Sequence, residues 1–248
     1  MVERVIVSLS IVSHDQGSLI TRLLDDIGHS NWHGDTPFEV IVTLNIPEDE
    51  HWLQGPFTFP VTVIRNERSK GFGANHNAAF RSARGALFAV VNPDIRLAGF
   101  RIHDLIIALN REKAGVCGPL VKAPDGADED SARRFPTIAR LIRRKLRARH
   151  APDYRPLGTP VEVDWLAGMF LLFPSSIYRE IGGFDERYFM YLEDVEICRH
   201  LGRRGRAALW VTSTAVIHDA SRASRRNIRH LRWHFGSLAH YLFARKRR

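Results

Sequence analysis

Adjacent carboxylates behind a run of aromatic rings are the first residues here whose types suggest chemistry. In Phe184-Asp185-Glu186-Arg187-Tyr188-Phe189-Met190-Tyr191-Leu192-Glu193-Asp194, four acids stand among four rings. A solvated helix face has no need of that mixture. A pocket that holds a sugar ring and takes a proton from one of its hydroxyls needs both. Neighbouring carboxylates repel, so one of them keeps a raised pKa, which suits a general base. The blander reading is an acidic helix start favoured by the helix dipole, with Glu196 pairing Arg199 or His200.

Three further groups could join that site. Asn92-Pro93-Asp94 follows the short apolar run Ala86 to Val91, so Asp94 falls at the carboxyl end of a buried strand. Ligands bind at that edge in open α/β sheets, and an aspartate there could hold Mg²⁺ or Mn²⁺ shared with a diphosphate. Asn-Pro-Asp is also a common turn. Gly71-Phe72-Gly73-Ala74-Asn75 reads as a phosphate cradle at a helix start or as a plain glycine turn. It is a poor dinucleotide fingerprint, because His76 stands where the third glycine belongs and the motif follows the third strand. His218 ends the apolar stretch Ala215 to Ile217. A neutral imidazole there could ligate a metal or touch phosphate, with Arg222 clamping the same anion, or it could be a capping residue. Trp165 and Gly168 could form a sugar platform with close backbone approach; core packing accounts for the tryptophan as well.

The elements that must position these residues alternate. Arg4 to Val12, Phe38 to Leu44, Val61 to Arg65 and Ala86 to Val91 read as strands, with helical spacing at Leu19 to Ile27 and at Ala74 to Arg84. That alternation predicts a mostly parallel, Rossmann-like α/β sheet with helices on both faces. Further on, Phe100 to Asn110 reads as helix and Gly115 to Val121 as strand. Lys122 to Pro160 reads as a long polar loop, Val161 to Phe173 as strand, Asp194 to Arg203 as helix and Leu209 to Ile217 as strand. The last helix, about Asn227 to Ala244, carries an apolar stripe and a basic start.

The 248 residues, 44% hydrophobic and 25% charged, fit an ordinary globular protein. Cys117 and Cys198 give neither a disulfide framework nor a zinc spacing, which fits a reducing cytoplasm. No apolar run approaches the roughly 20 residues of a membrane helix. The N-terminal Val5 to Val12 run is expected to be a buried strand rather than a signal sequence, since Glu3, His14 and Asp15 suit the latter poorly. The net charge of +9 is concentrated: 13 Lys or Arg against one acid from Arg199 to Arg248, and eight more from Arg133 to Arg149. Such clustering points to an anionic partner: a nucleoside diphosphate, a phospholipid surface or nucleic acid.

From about Val5 to at least Ser224, the chain resembles the inverting family 2 glycosyltransferases of the GT-A fold, most closely the bacterial rhamnosyltransferase-like branch. The resemblance is most specific at Trp165-x-x-Gly168 followed by Gly182-Gly183-Phe184-Asp185-Glu186-x-x-Phe189-x-Tyr191-x-Glu193-Asp194. Gly71-Phe72-Gly73-x-Asn75-x-Asn77, Asn92-Pro93-Asp94 and His218 fall in order around it. It implies a nucleotide-diphosphate sugar as donor, a glycan or lipid-linked acceptor, and Mg²⁺ or Mn²⁺. Asp194, beside Glu193, would be the catalytic base. Asp94 would hold the metal with His218. Ser13, His14, Asp15 and Asn45 would border the nucleotide, with Asn92 in place of the metal motif's first acid. It also implies a catalytic domain over residues 1–224, divided at 98/99 into nucleotide-binding and acceptor-binding halves. The basic helix 225–248 would follow, resting on the cytoplasmic face of the inner membrane or packing on the domain. Two departures stand out. Asn92 removes the metal motif's first carboxylate, and Leu44 occupies a position where the family usually has a nucleoside-holding Asp; His14 also replaces a more usual Tyr.

Two other readings stay open at the level of residues. A basic nucleic-acid-binding protein fits the charge, although no helix-turn-helix, zinc module or RNA-binding sheet motif is present. A Rossmann oxidoreductase would use Gly71 to Asn75, against the missing third glycine.

Overall fold

The computed structural model describes residues 7–137, 140, 152–219, 233 and 236–241. Its strands are β1 (Val7–Ser13), β2 (Phe38–Leu44), β3 (Val61–Arg65), β4 (Leu87–Val91), β5 (Ile95–Arg96), β6 (Ala114–Lys122), β7 (Ala132–Arg133), β8 (Val161–Val163), β9 (Trp165–Leu166), β10 (Phe170–Pro174) and β11 (Ala207–His218). Among the described residues, nine form one sheet in the order β3-β2-β1-β4-β10-β6-β11-β5, with β8 also on β11. Strands β3, β2, β1, β4, β6 and β11 point the same way, while β10, β5 and β8 oppose them. The sheet is therefore mostly parallel by direction, with β10 inserted antiparallel at its centre.

Alternation along the central strands supplies both faces of the core. Val7, Leu9 and Ile11 of β1 join Val40 and Val42 of β2 under the helices Gly17–His29 and Ile102–Leu109. Phe88, Val90, Leu171 and Phe173 face the other way, under the helices Phe72–Ser82, Ser175–Glu180 and Glu193–Arg203. The second face of β1 is polar and buried. Ser8 Oγ donates to Glu39 and accepts from Gly85 N–H at 2.8 Å, and Ser10 Oγ lies 2.8 Å from His76 Nδ1. Such groups are tolerated in a core only because they find partners there.

The stretch expected as one strand from Val161 to Phe173 is broken into three. Asp164 accepts the Phe135 N–H at 2.7 Å and the Tyr154 hydroxyl at 3.0 Å, which takes the chain out of the line of β8. β9 then pairs with β7 in a separate two-stranded ribbon. Of the expected C-terminal helix, residues 233 and 236–241 are described and are helical. Ser237 Oγ donates to the Met190 carbonyl at 2.8 Å, and the Arg199 guanidinium lies 4.6 Å from the centre of the Tyr241 ring. The arginine clusters on either side, Arg222 among them, lie outside the described residues. Among the described residues no helix is long and apolar enough to cross a membrane.

Two glycines set how closely the 184–192 segment approaches the Phe72–Ser82 helix. A Cβ on Gly71 would sit 2.7 Å from the Phe189 carbonyl oxygen, and one on Gly73 would sit 2.5 Å from Phe184 Cβ. We expect Gly73→Ala to destabilise the fold by about 1–3 kcal/mol through overpacking. Chemical denaturation would measure it, and an unchanged midpoint would show that the segment is not held at this distance.

Candidate functional site

A cleft of about 760 Å³ opens at the carboxyl edge of β1 and β4. It brings together residues far apart in the chain, including Asp94, Asp194 and His218.

On one side, sheet register places Asp94 beside His218. The end of β11 pairs antiparallel with β5, His218 lying opposite Ile95, and Asp219 N–H donates to the Asp94 carbonyl at 2.8 Å. His218 Nε2 lies 3.2 Å from Asp94 Oδ2, and Nδ1 lies 2.9 Å from Glu129 Oε2. Burial alone would lower the imidazole's pKa, but the Asp94 and Glu129 carboxylates outweigh it and push the ring up to about 9. Asp94 Oδ1 is buried with no hydrogen-bond partner.

On the opposite side, the Glu193–Arg203 helix opens into the cleft. Tyr191 and Leu192 just before it have φ of 73° and 66°. Left-handed backbone costs a non-glycine residue roughly 1–2 kcal/mol, and here it turns the helix start inward. Asp194 Oδ2 accepts the Gly168 N–H at 3.1 Å, and Oδ1 accepts the Val195 N–H at 2.8 Å. Burial raises the Asp194 pKa, with those two N–H groups and the charge of Arg133 opposing it. Glu193 is also buried and raised, first by burial and then by the Asp194 charge, and its Oε2 has no partner.

The nucleotide end foreseen from the sequence is only partly in the cleft. His14, Asn45, Asn75, Asn92 and Gly168 line it. Ser13 and Asp15 do not: Glu48 accepts from the Ser13 hydroxyl and from the Asp15 N–H at 2.8 Å, and so latches that loop. Gly71 and Gly73, expected to cradle phosphate, serve the close packing described above and do not line the cleft. Asn45 accepts from the Lys70 N–H at 2.8 Å, and Asn66 donates to Asn75 at 2.7 Å, so these amides hold the 66–71 turn. Leu44 is buried in the core. Trp165 is not a sugar platform. It is 7% exposed, its Nε1 donates to the Arg134 carbonyl at 3.0 Å, and the Arg133 guanidinium lies 5.3 Å from its ring centre.

Sequence reading missed several lining residues. Glu129, Asp130 and Arg133 come from the segment read as a polar loop, and the acidic triplet at 128–130 was its only signal. Trp233 stands at the cleft beside Phe189, their rings 4.9 Å apart. His76 Nε2 is buried without a partner, and burial lowers that ring to about 3, so it is neutral. In all, five lining carboxylates (Asp94, Glu129, Asp130, Glu193, Asp194) face Lys70, Arg133 and His218.

The family model described as "Glycosyl transferase family 2" matches residues 8–170. N-acetylglucosaminyl-diphospho-decaprenol L-rhamnosyltransferase of Mycobacterium tuberculosis is 36% identical over 174 residues, covering 62% of this chain and 53% of that protein. The chain thus spans about half the length of that relative. Rhamnosyltransferase WbbL of Escherichia coli (strain K12) is 30% identical over 258 residues, covering 97% of this chain and 94% of WbbL. Among solved structures, GalNAc-T7 with UDP, GalNAc and Mn²⁺ superposes with a TM-score of 0.66 at 17% identity, covering 89% of this chain and 45% of that one. Mannosyltransferase PcManGT from Pyrobaculum calidifontis, in complex with GDP-Man and Mn²⁺, gives 0.61 at 16% identity, covering 90% and 59%. At those identities the structural likeness speaks for the fold alone.

The raised Glu193 carboxyl makes a prediction about pH. The folded state holds this proton more tightly than the unfolded state, whose carboxyl titrates near 4.5, so its contribution to stability falls as pH rises above that value. Glu193→Gln removes the penalty. Its melting temperature should exceed that of the wild type by a margin that grows between about pH 5 and 8. Parallel curves for the two proteins would mean that Glu193 is not held protonated.

Proposed function

Because the chain belongs to glycosyl transferase family 2 and has the GT-A fold, we propose that it transfers a sugar from a nucleoside-diphosphate donor to a glycan or lipid-linked acceptor. Rhamnose is the sugar its relatives' names favour. The observation that carries this reading is the meeting of Asp194, Asp94 and His218 in one cleft. In this reading, residues 1–98 bind the nucleotide and 99–224 the acceptor.

The donor set fits a divalent cation. Asp94 Oδ1 is buried and unpartnered, and His218 Nε2 stands beside the same carboxylate. Among the described residues no three His, Cys, Asp or Glu side chains converge as a complete metal cage. An ion held by Asp94 and His218 would therefore take its remaining ligands from water and the donor's phosphates, which is the habit of Mg²⁺ and of Mn²⁺ in oxygen-rich sites. When bound, it supplies positive charge against the leaving diphosphate.

The remaining steps use the chain's own groups. Asp194, fixed by the Gly168 and Val195 N–H groups, accepts the proton of the acceptor hydroxyl. That oxygen bonds to the anomeric carbon as the bond to the diphosphate oxygen breaks on the opposite face. Configuration inverts, the nucleoside diphosphate leaves, and no covalent sugar–enzyme intermediate is needed. Burial raises the affinity of Asp194 for this proton. His14 and Asn45 border the nucleotide. The basic C-terminal residues fit attachment to an anionic membrane surface on the cytoplasmic side, where a lipid-linked acceptor would be met.

A melting-temperature screen of UDP-, GDP- and dTDP-linked sugars, with and without Mn²⁺, tests the whole reading; no stabilisation by any of them would sink it. Asp194→Asn should keep donor binding and lose turnover by about 10²–10⁴-fold, and comparable turnover would remove Asp194 from the role of base. Asp94→Ala should weaken donor binding and abolish its dependence on Mn²⁺ together. Undiminished wild-type turnover in excess chelator would count against the cation.

A further inference from the structure

We infer that Glu129 is a positioning residue for the cation side of the cleft, fixing the His218 ring so that Nε2 and not Nδ1 is presented beside Asp94. The inference rests on the reading above, in which Asp94 and His218 share a divalent ion. Glu129 Oε2 lies 2.9 Å from His218 Nδ1, and the other nitrogen of that ring lies 3.2 Å from Asp94 Oδ2. Either imidazole nitrogen can serve a metal, and the hydrogen bond made by the other decides which one does. A carboxylate in that position also makes the ligating nitrogen more basic.

The backbone around Glu129 is built to hold it there. Its N–H donates to the Val121 carbonyl at 2.8 Å, and the Ala123 N–H donates to the Ala127 carbonyl at 2.8 Å, closing a tight hairpin after β6. The flanking acids are engaged elsewhere: Asp128 lies 2.9 Å from Lys122 Nζ, and Asp130 lies 3.0 Å from Arg133 Nε. Two residues beyond Glu129, the Ser131 carbonyl accepts the Ala167 N–H at 2.8 Å. Ala167 precedes Gly168, whose N–H holds Asp194. One hairpin therefore orients the ring on the cation side and anchors the strand end that seats the carboxylate on the other side.

The test is Mn²⁺ affinity, read by electron paramagnetic resonance of free Mn²⁺ in the presence of the nucleoside diphosphate that most stabilises the wild type. Glu129→Ala should weaken Mn²⁺ binding about ten- to hundredfold. Glu129→Gln, which can still accept from Nδ1–H but lacks the charge, should fall between. A merely structural role for Glu129 would lower the metal-free melting temperature and leave Mn²⁺ affinity alone. Affinity within about threefold of wild type in Glu129→Ala overturns the inference. Should that variant not fold, Glu129→Leu, which keeps the bulk but cannot accept from Nδ1–H, decides by the same threshold. If the wild type itself takes up no Mn²⁺ with any nucleoside diphosphate, the parent reading fails and this one with it. Equal affinity in wild type and variant defeats this one alone.

Discussion

The docking of the 184–192 segment on the start of the Phe72–Ser82 helix is the constraint on which the rest of the cleft depends. The Asn77 amide brackets one residue of that segment from both sides. Its Nδ2 donates to the Phe184 carbonyl at 2.9 Å, and its Oδ1 accepts the Phe184 N–H at 3.0 Å together with the Tyr178 hydroxyl at 2.8 Å. Farther along, the Phe72 N–H donates to the Phe189 carbonyl at 2.9 Å. The chain can reach this position because Gly183 turns with φ of 71°, close against Asn77. With Phe184 and Phe189 fixed, Tyr191 and Leu192 are driven into left-handed backbone, and the next two residues enter the cleft as carboxylates. The backbone strain and the buried acids are both unfavourable on their own. Packing of Phe184 and Tyr188 in the core offsets them.

The other side of the cleft is governed by strand pairing. Asp94 and His218 meet because β5 closes against the end of β11, and the antiparallel register leaves their side chains at one edge. The two sides use opposite electrostatic solutions. Near Asp94, the carboxylates face the His218 ring and raise its proton affinity. Near Asp194, they are stabilised by backbone N–H groups and by Arg133, and burial is left to raise their proton affinity. The contrast follows from what each side is proposed to do: one must stay anionic to hold a cation, the other must accept a proton and release it.

Much of this was legible in the sequence because it is periodic or locally signalled. Strand alternation and helical spacing gave the parallel sheet and its covering helices, and the position of Asp94 after a doubly buried run gave its place at the ligand edge. What was not legible depends on contacts that period cannot report. Gly71 and Gly73 looked like a phosphate cradle because glycine permits close approach, but the approaching groups are the protein's own Phe189 backbone and Phe184 side chain. Trp165 resembled a platform, yet its ring is covered by Arg133 and its N–H is used by a carbonyl. The break in Val161 to Phe173 is imposed by Asp164, whose partners Phe135 and Tyr154 lie outside that run. Glu129 was hidden because a polar loop has no period, and only folding shows which of three consecutive acids meets an imidazole.

The pairing of β5 with β11 also determines when the cleft comes into being. The two residues Asp94 and His218 belong to the fourth strand's exit and to the end of the last described strand, so no N-terminal piece that stops short of residue 218 contains both. A chain still emerging from the ribosome would carry the glycine turn and Asp94 without the histidine that stands beside Asp94 in the folded protein. The cation-side pair is complete only once the last described strand has closed on the sheet.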